Sequence, residues 1–217
     1  MRAQDYIENK IEEKSRSWLR EIRREIRPRP NFIMDINRTA LLVVDMLQYF
    51  TDPEGRCYLP ASRHIIPKIS CLLDLMRSHD RPVIYTRHCH DGAHDLGMLG
   101  KFFSDYISDG RPEAEVIQPL SPKSEDIVIK KKTYDAFLDT PLLGALTELE
   151  VSQVIITGVL THMCCETTAR SAFCRGFEVY LPVDAMASTC ERRHLESLLS
   201  LSDVAAIPTS TAEILAP

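Results

Sequence analysis

The sequence has no uninterrupted apolar run long enough to cross a bilayer, and its N-terminus does not resemble a secretory signal. The expectation is a cytoplasmic protein. It has no CxxC…CxxC arrangement, so a structural zinc site lacks support. No Lys/Arg cluster with interleaved aromatics offsets the formal net charge of −5, which excludes nucleic acid as an expected partner. Internal repeats and low-complexity stretches are absent as well. The cysteines number seven, an odd count, and they are scattered at positions 57, 71, 89, 164, 165, 174 and 190. Without a secretory signal they read as reduced thiols rather than a disulfide framework.

What is present is enough for one substantial core: 217 residues, of which 44% are apolar. From Ala3 to Ile26 the chain is charged and free of Gly and Pro, with Ile7, Ile11, Trp18, Leu19, Ile22 and Ile26 at helical spacing. Pro28 and Pro30 stop that pattern. Residues 1–30 therefore read as an amphipathic helical extension and residues 31–217 as the main domain. Within the domain, β-rich runs fall at Thr39–Asp45, Pro82–Thr86, Asp126–Ile129, Gln153–Ile156, Glu178–Val183 and Val204–Ile207. Helical patterns at Ile65–Ser78, Pro141–Leu149, Met163–Arg175 and Arg192–Leu201 lie between most of them. Alternating strands and helices predict an α/β protein: a three-layer α/β/α, Rossmann-like domain on a six-stranded parallel sheet. The least regular connection, Arg87 to Glu125, is a candidate for function because long irregular loops often carry it.

In open parallel sheets, sites form beyond the carboxyl ends of the strands. Asp45 ends the first strand, Lys131 follows the third and Cys164 follows the fourth. A cysteine at a strand-to-helix turn meets unpaired N–H groups and the positive end of a helix dipole. Both favour a thiolate, the nucleophilic form, so the placement predicts a lowered thiol pKa.

Three segments carry a family resemblance. They are Leu42-Val43-Val44-Asp45-Met46 with Phe50; Ile129 through Phe137 with Thr140 and Leu142; and Thr157-Gly158-Val159 through Arg170, followed by Ala172, Gly176, Val183-Asp184-Ala185 and Ala187-Ser188. From Thr39 onward the chain resembles the isochorismatase-like cysteine hydrolases, which include nicotinamidases, N-carbamoylsarcosine amidases and ureidoacrylate amidohydrolases. The resemblance implies an Asp–Lys–Cys triad. Cys164 is the nucleophile that forms a thioester, Asp45 the general base and then acid, and Lys131 the cation beside them. Strand alternation puts Lys130 and Lys132 on the opposite face, as solvated charges. The resemblance also implies a cis peptide at Val159-Leu160 and an oxyanion hole from the N–H groups of Leu160 and Cys164.

Phe50, His88, His90, Tyr134 and His162 are candidate substrate-binding residues. Nicotinamidases bind a metal through an Asp and a His at the positions of His88 and His90. Here the carboxylate is missing, and Arg87-His88-Cys89-His90 with Asp95-Leu96-Gly97 resembles the metal-free relatives, so neither metal nor cofactor is expected. Gln48 sits one residue later than the family pattern has it, which puts a pocket role in doubt. Cys165 reads as packing, Asp184 as structural, and His64, His79 and His194 as surface residues.

The expected activity is hydrolysis of a small amide, ureido or carbamoyl compound. The alternatives are an isochorismatase-type vinyl-ether hydrolase, against which Cys164 counts, and a catalytically idle binding protein on the same fold. The resemblance further implies a homo-oligomer, a dimer or tetramer. The stripe on the N-terminal helix is expected to join subunits, or else to pack on its own subunit.

Overall fold

A computed structural model describes residues 3–216. Helix α1 (Ile11–Glu25) leads into β1 (Thr39–Val44), α2 (Gln48–Thr51), α3 (Ser62–Ser78), β2 (Val83–His88), α4 (Leu99–Phe102) and β3 (Ile127–Lys131). Then follow α5 (Leu142–Glu148), β4 (Gln153–Val159), α6 (Glu166–Cys174), β5 (Glu178–Pro182), β6 (Met186–Ala187), α7 (Glu191–Val204), β7 (Ile207–Thr209) and α8 (Thr211–Leu215). The strands form one parallel sheet in the order β3-β2-β1-β4-β5-β7, with β6 beside the end of β4. Helices α3 and α8 pack together, and α1, α6 and α7 pack together, giving the expected three layers. Every residue of β1 and β4 is buried, as a central strand covered on both faces requires.

The chain winds outward through β1, β2 and β3, then returns to β4 on the other side of β1 and winds the opposite way. The switch point therefore lies between β1 and β4, where open α/β sheets leave a crevice. Gly158 makes this junction possible. Its φ is +102°, and a Cβ there would sit 2.1 Å from the Val44 carbonyl oxygen.

Several sequence expectations need correction. The six-stranded sheet has a seventh member, β6, whose two residues are too few to show a period of two. The last strand is Ile207–Thr209 rather than Val204–Ile207, because α7 runs on through Val204. Pro208 is tolerated there because β7 is an edge strand. The first helix starts at Ile11, after Glu8 and Asn9 adopt positive φ values of 50° and 61°. They form a left-handed turn that a helix cannot continue through.

The α1 stripe is covered by its own chain. Ile7, Trp18 and Ile22 are buried in the common core, and α1 packs on α7 and β7. The Trp18 ring meets His194 edge-on at 4.7 Å, and its indole N–H donates to Glu191 at 2.8 Å. Lys14 holds the same carboxylate at 2.8 Å. Of the two expectations for this stripe, packing within its own subunit is the one these contacts match. His194 is likewise fully buried, not a surface residue. It accepts from Thr161 Oγ1 at 2.8 Å and donates to the Val183 carbonyl at 3.1 Å, fixing the turn that follows β4. Burial pushes its pKa down to about 4, so it stays neutral.

Candidate active site

The three residues read from strand ends converge. Asp45 directly follows β1, with φ at +49°, a conformation that Asp tolerates better than most residues. Its Oδ1 accepts from Thr86 Oγ1 at 2.6 Å, and its backbone N–H donates to the same hydroxyl at 3.2 Å. Val44 and Thr86 are register partners, which is why Thr86 reaches the next residue along. Lys131 Nζ lies 2.7 Å from Asp45 Oδ2, with both side chains at 0% exposure. The same ammonium donates to the Thr133 carbonyl at 2.9 Å and to Cys164 Sγ at 3.2 Å. Lys130 and Lys132 point outward, as alternation demands, onto Asp91, Asp95 and Asp109.

The electrostatics reverse one expectation. Burial pushes the Cys164 thiol up to about 12; Lys131 works against that shift and Asp45 adds to it. The turn, its dipole and the nearby lysine all favour the thiolate, and burial opposes them. Here Cys164 lies in a π-helical turn, Thr161–Cys165, and is only 7% exposed. Burial disfavours the thiolate more than the ammonium favours it. Burial alone would also lower Lys131, but Asp45 and Cys164 outweigh it and hold the lysine protonated. The two directions together favour a protonated Lys131 and a protonated Cys164 thiol at rest. Alkylation of Cys164 by iodoacetamide should still climb about tenfold per pH unit near pH 9, as expected well below a thiol's pKa. A plateau below that pH would show that the ammonium outweighs burial.

The ammonium has three protons and four acceptors, since His88 Nδ1 also lies 3.2 Å away. His88 and Lys131 are register partners on β2 and β3. A protonated lysine can only donate, so His88 Nδ1 accepts and its proton sits on Nε2. That N–H faces His90 Nε2 at 3.3 Å, and His90 Nδ1 in turn faces Asp95 Oδ1 at 3.2 Å. The chain from Lys131 to Asp95 thus fixes both ring tautomers. Burial, with Lys131 beside it, pushes the His88 pKa down to about 3, so the ring is neutral.

This arrangement does not fit a resident metal. Asp45, His88 and Cys164 each place a ligand atom within 4.8 Å of the others. The Lys131 ammonium already sits in contact with all three and supplies the positive charge. A metal on His88 Nε2 would require the ring proton on Nδ1, where Lys131 donates.

Above Cys164 opens a cavity of about 430 Å³. All five candidate binding residues, Phe50, His88, His90, Tyr134 and His162, line it, as does Leu160. The long Arg87–Glu125 connection supplies much of the remaining wall, including Phe103 and Tyr106. Gln48 does not line it, in keeping with its displaced position. His162 Nδ1 pairs with Ser188 Oγ at 2.6 Å. The Val159-Leu160 peptide is cis, as the resemblance implies. The carbonyl of Leu160 accepts the N–H groups of Met163 at 3.0 Å and Cys165 at 3.3 Å. Cys165 is buried and points at the Thr157 carbonyl, which is a packing role. Asp184 caps α8 by accepting from the Thr211 N–H at 2.8 Å.

Sequence reasoning missed Thr86 and Arg193. Thr86 carries no signal of its own in a β run, though its place beside Val44 could have drawn attention once the strands were ordered.

A parallel sheet with a buried carboxylate, ammonium and thiol at its switch point defines a class of hydrolase. The Isochorismatase domain model matches residues 39–213, and the chain belongs to that family. It is similar to Nicotinamidase 3 of Arabidopsis thaliana, at 37% identity over 166 residues, covering 75% of this chain and 80% of that protein. It is also similar to Enterobactin synthase component B of Escherichia coli, at 32% identity over 179 residues. That match takes in 82% of this chain but only 62% of the relative's length. Among solved structures, a cysteine hydrolase from Pseudomonas syringae superimposes with a TM-score of 0.83 at 29% identity, covering 87% of this chain and 95% of that one.

Proposed function

We propose that this family hydrolase is a cysteine-dependent amidohydrolase acting on a small amide, ureido or carbamoyl compound. The observation that carries the reading is the Lys131 ammonium in contact with both Asp45, at 2.7 Å, and Cys164, at 3.2 Å. A vinyl-ether hydrolysis has no use for a thiol there, and an idle binding protein has no use for the buried ion pair.

In this mechanism a carboxamide enters the cavity with its carbonyl carbon at Cys164 Sγ. Because the thiol is not ionised at rest, Asp45 must take its proton as the sulfur attacks. The forming thiolate gains the ammonium donor that it shares with Asp45, so the charge moves along one hydrogen-bonded unit. The oxyanion is assigned to the N–H groups of Leu160 and Cys164, worth about 3–4 kcal/mol of barrier per donor. Asp45 then gives its proton to the leaving nitrogen, and ammonia or an amine departs. A water molecule, deprotonated by the same carboxylate, splits the thioester and restores the thiol.

The test is ammonia or amine release across carboxamides, ureides and carbamoyl amino acids, with Cys164→Ala as blank. A substrate turned over by the parent should leave a covalent acyl adduct on Cys164 that mass spectrometry detects after acid quench. Turnover that survives in Cys164→Ala would end the proposal.

A further inference from the structure

The charges around the cavity are nearly all spoken for. Lys131 is matched by Asp45 beneath the floor. Asp105, on the long connection, accepts from the Tyr49 hydroxyl at 2.9 Å and is ion-paired with Arg56, which also reaches Glu113 outside the lining. Outside the lining, Arg192 of α7 is paired with Glu196 at 2.7 Å, and Glu166 of α6 is paired with Arg170 at 2.9 Å. His162, in the turn after β4, has its pKa lowered by burial and by the neighbouring Arg193.

Arg193 is the exception. It lines the cavity, and its guanidinium donates to the Thr189 hydroxyl at 3.1 Å, also on the lining. Among the described residues no carboxylate lies within ion-pair distance of it. A guanidinium has five N–H donors in a planar fork suited to a carboxylate, and one contact to a hydroxyl leaves that fork open. Arg193 and Cys164 share this cavity with Phe50, Tyr134, Leu160 and Met163, which offer apolar and aromatic contact.

We propose that Arg193 is an anion anchor that selects substrates carrying a carboxylate, held apart from the scissile carbonyl by a flat or apolar body. The inference rests on the amidohydrolase reading for what happens at Cys164, but not for the binding itself. Arg193 is exposed, so solvent screens its attraction and the preference is modest. About tenfold in affinity is expected, equal to about 1.4 kcal/mol.

Calorimetric titration on the Cys164→Ser protein tests this without turnover. The probes are a matched pair, meta-carbamoylbenzoate and benzamide, which differ only by the carboxylate. The carboxylate-bearing probe should bind at least about tenfold tighter, a gap of the size expected for a screened charged hydrogen bond. Adding Arg193→Gln should close the gap, and Arg193→Lys should keep part of it, since the charge stays while the fork is lost. Circular dichroism checks that the variants fold. Equal affinities for the two probes, no binding of the carbamoylbenzoate, or a gap that persists in Arg193→Gln would each overturn the proposal. Survival of turnover in Cys164→Ala bears instead on the amidohydrolase reading.

Discussion

Replacing Lys131 by methionine should reduce turnover by at least about 10³-fold, the scale seen when one member of a catalytic unit is removed. The same change should destabilise the fold by about 3–5 kcal/mol, the usual cost of stranding one charge of a buried pair. Both effects follow from one fact: Asp45 and Lys131 side chains are wholly buried and in contact. Without the ammonium, the Asp45 carboxylate loses its counter-ion, and the contact that links it to Cys164 is gone. Adding Asp45→Asn to Lys131→Met should recover part of the lost stability, because no charge is then stranded, while activity stays lost. Lys130→Ala is the control. Lys130 pairs with Asp91 and Asp109 near the surface, so its loss should cost about 0–1 kcal/mol and leave turnover near the parent value. The measurements are steady-state turnover and denaturant melts. A Lys131→Met protein within tenfold of parental turnover would remove the lysine from the mechanism.

The same buried pair shows why the triad was legible and its electrostatics were not. Asp45, Lys131 and Cys164 each lie at or just beyond the carboxyl end of a β-strand, and the end of a parallel strand is where a site forms. Position along a strand is written in the sequence. Burial of the finished site is not, so the dipole argument for Cys164 chose the wrong sign for its pKa. Arg193 escaped notice because it follows Glu191 and Arg192 at the start of a charged helix, which reads as a solvated face. His194 could have been found: with Leu198 and Leu201 it forms an i, i+4, i+7 stripe that marks the buried side of α7. The α1 stripe was visible, but an amphipathic face does not name its partner. Only the fold shows that Trp18 packs on His194.

Gly158→Ala should be the most disruptive single methyl group in the chain. Gly158 is the register partner of Val44, at the junction of β1 and β4, and Asp45 is the next residue. A Cβ at Gly158 would lie 2.1 Å from the Val44 carbonyl oxygen and 2.9 Å from both its carbonyl carbon and its nitrogen. These are backbone atoms of a central strand, so no side chain can rotate away to make room. The φ of +102° adds a second penalty, of about 1–2 kcal/mol for a residue with a Cβ. Overpacking typically costs a further ~1–3 kcal/mol. At about 2–4 °C per kcal/mol for a domain of this size, the melting temperature should fall by roughly 10 °C. Relief can come only by moving the end of β1, and that carries Asp45 away from Lys131. Any folded Gly158→Ala protein should therefore lose turnover as well as stability. Gly144→Ala is the matched comparison: it lies in α5 with nothing within 4 Å of the new Cβ. There the substitution should be neutral or stabilise by up to about 1 kcal/mol, because alanine restricts the unfolded chain and favours the helix. A Gly158→Ala protein with parental melting and turnover would show that the β1–β4 junction can yield without disturbing the site.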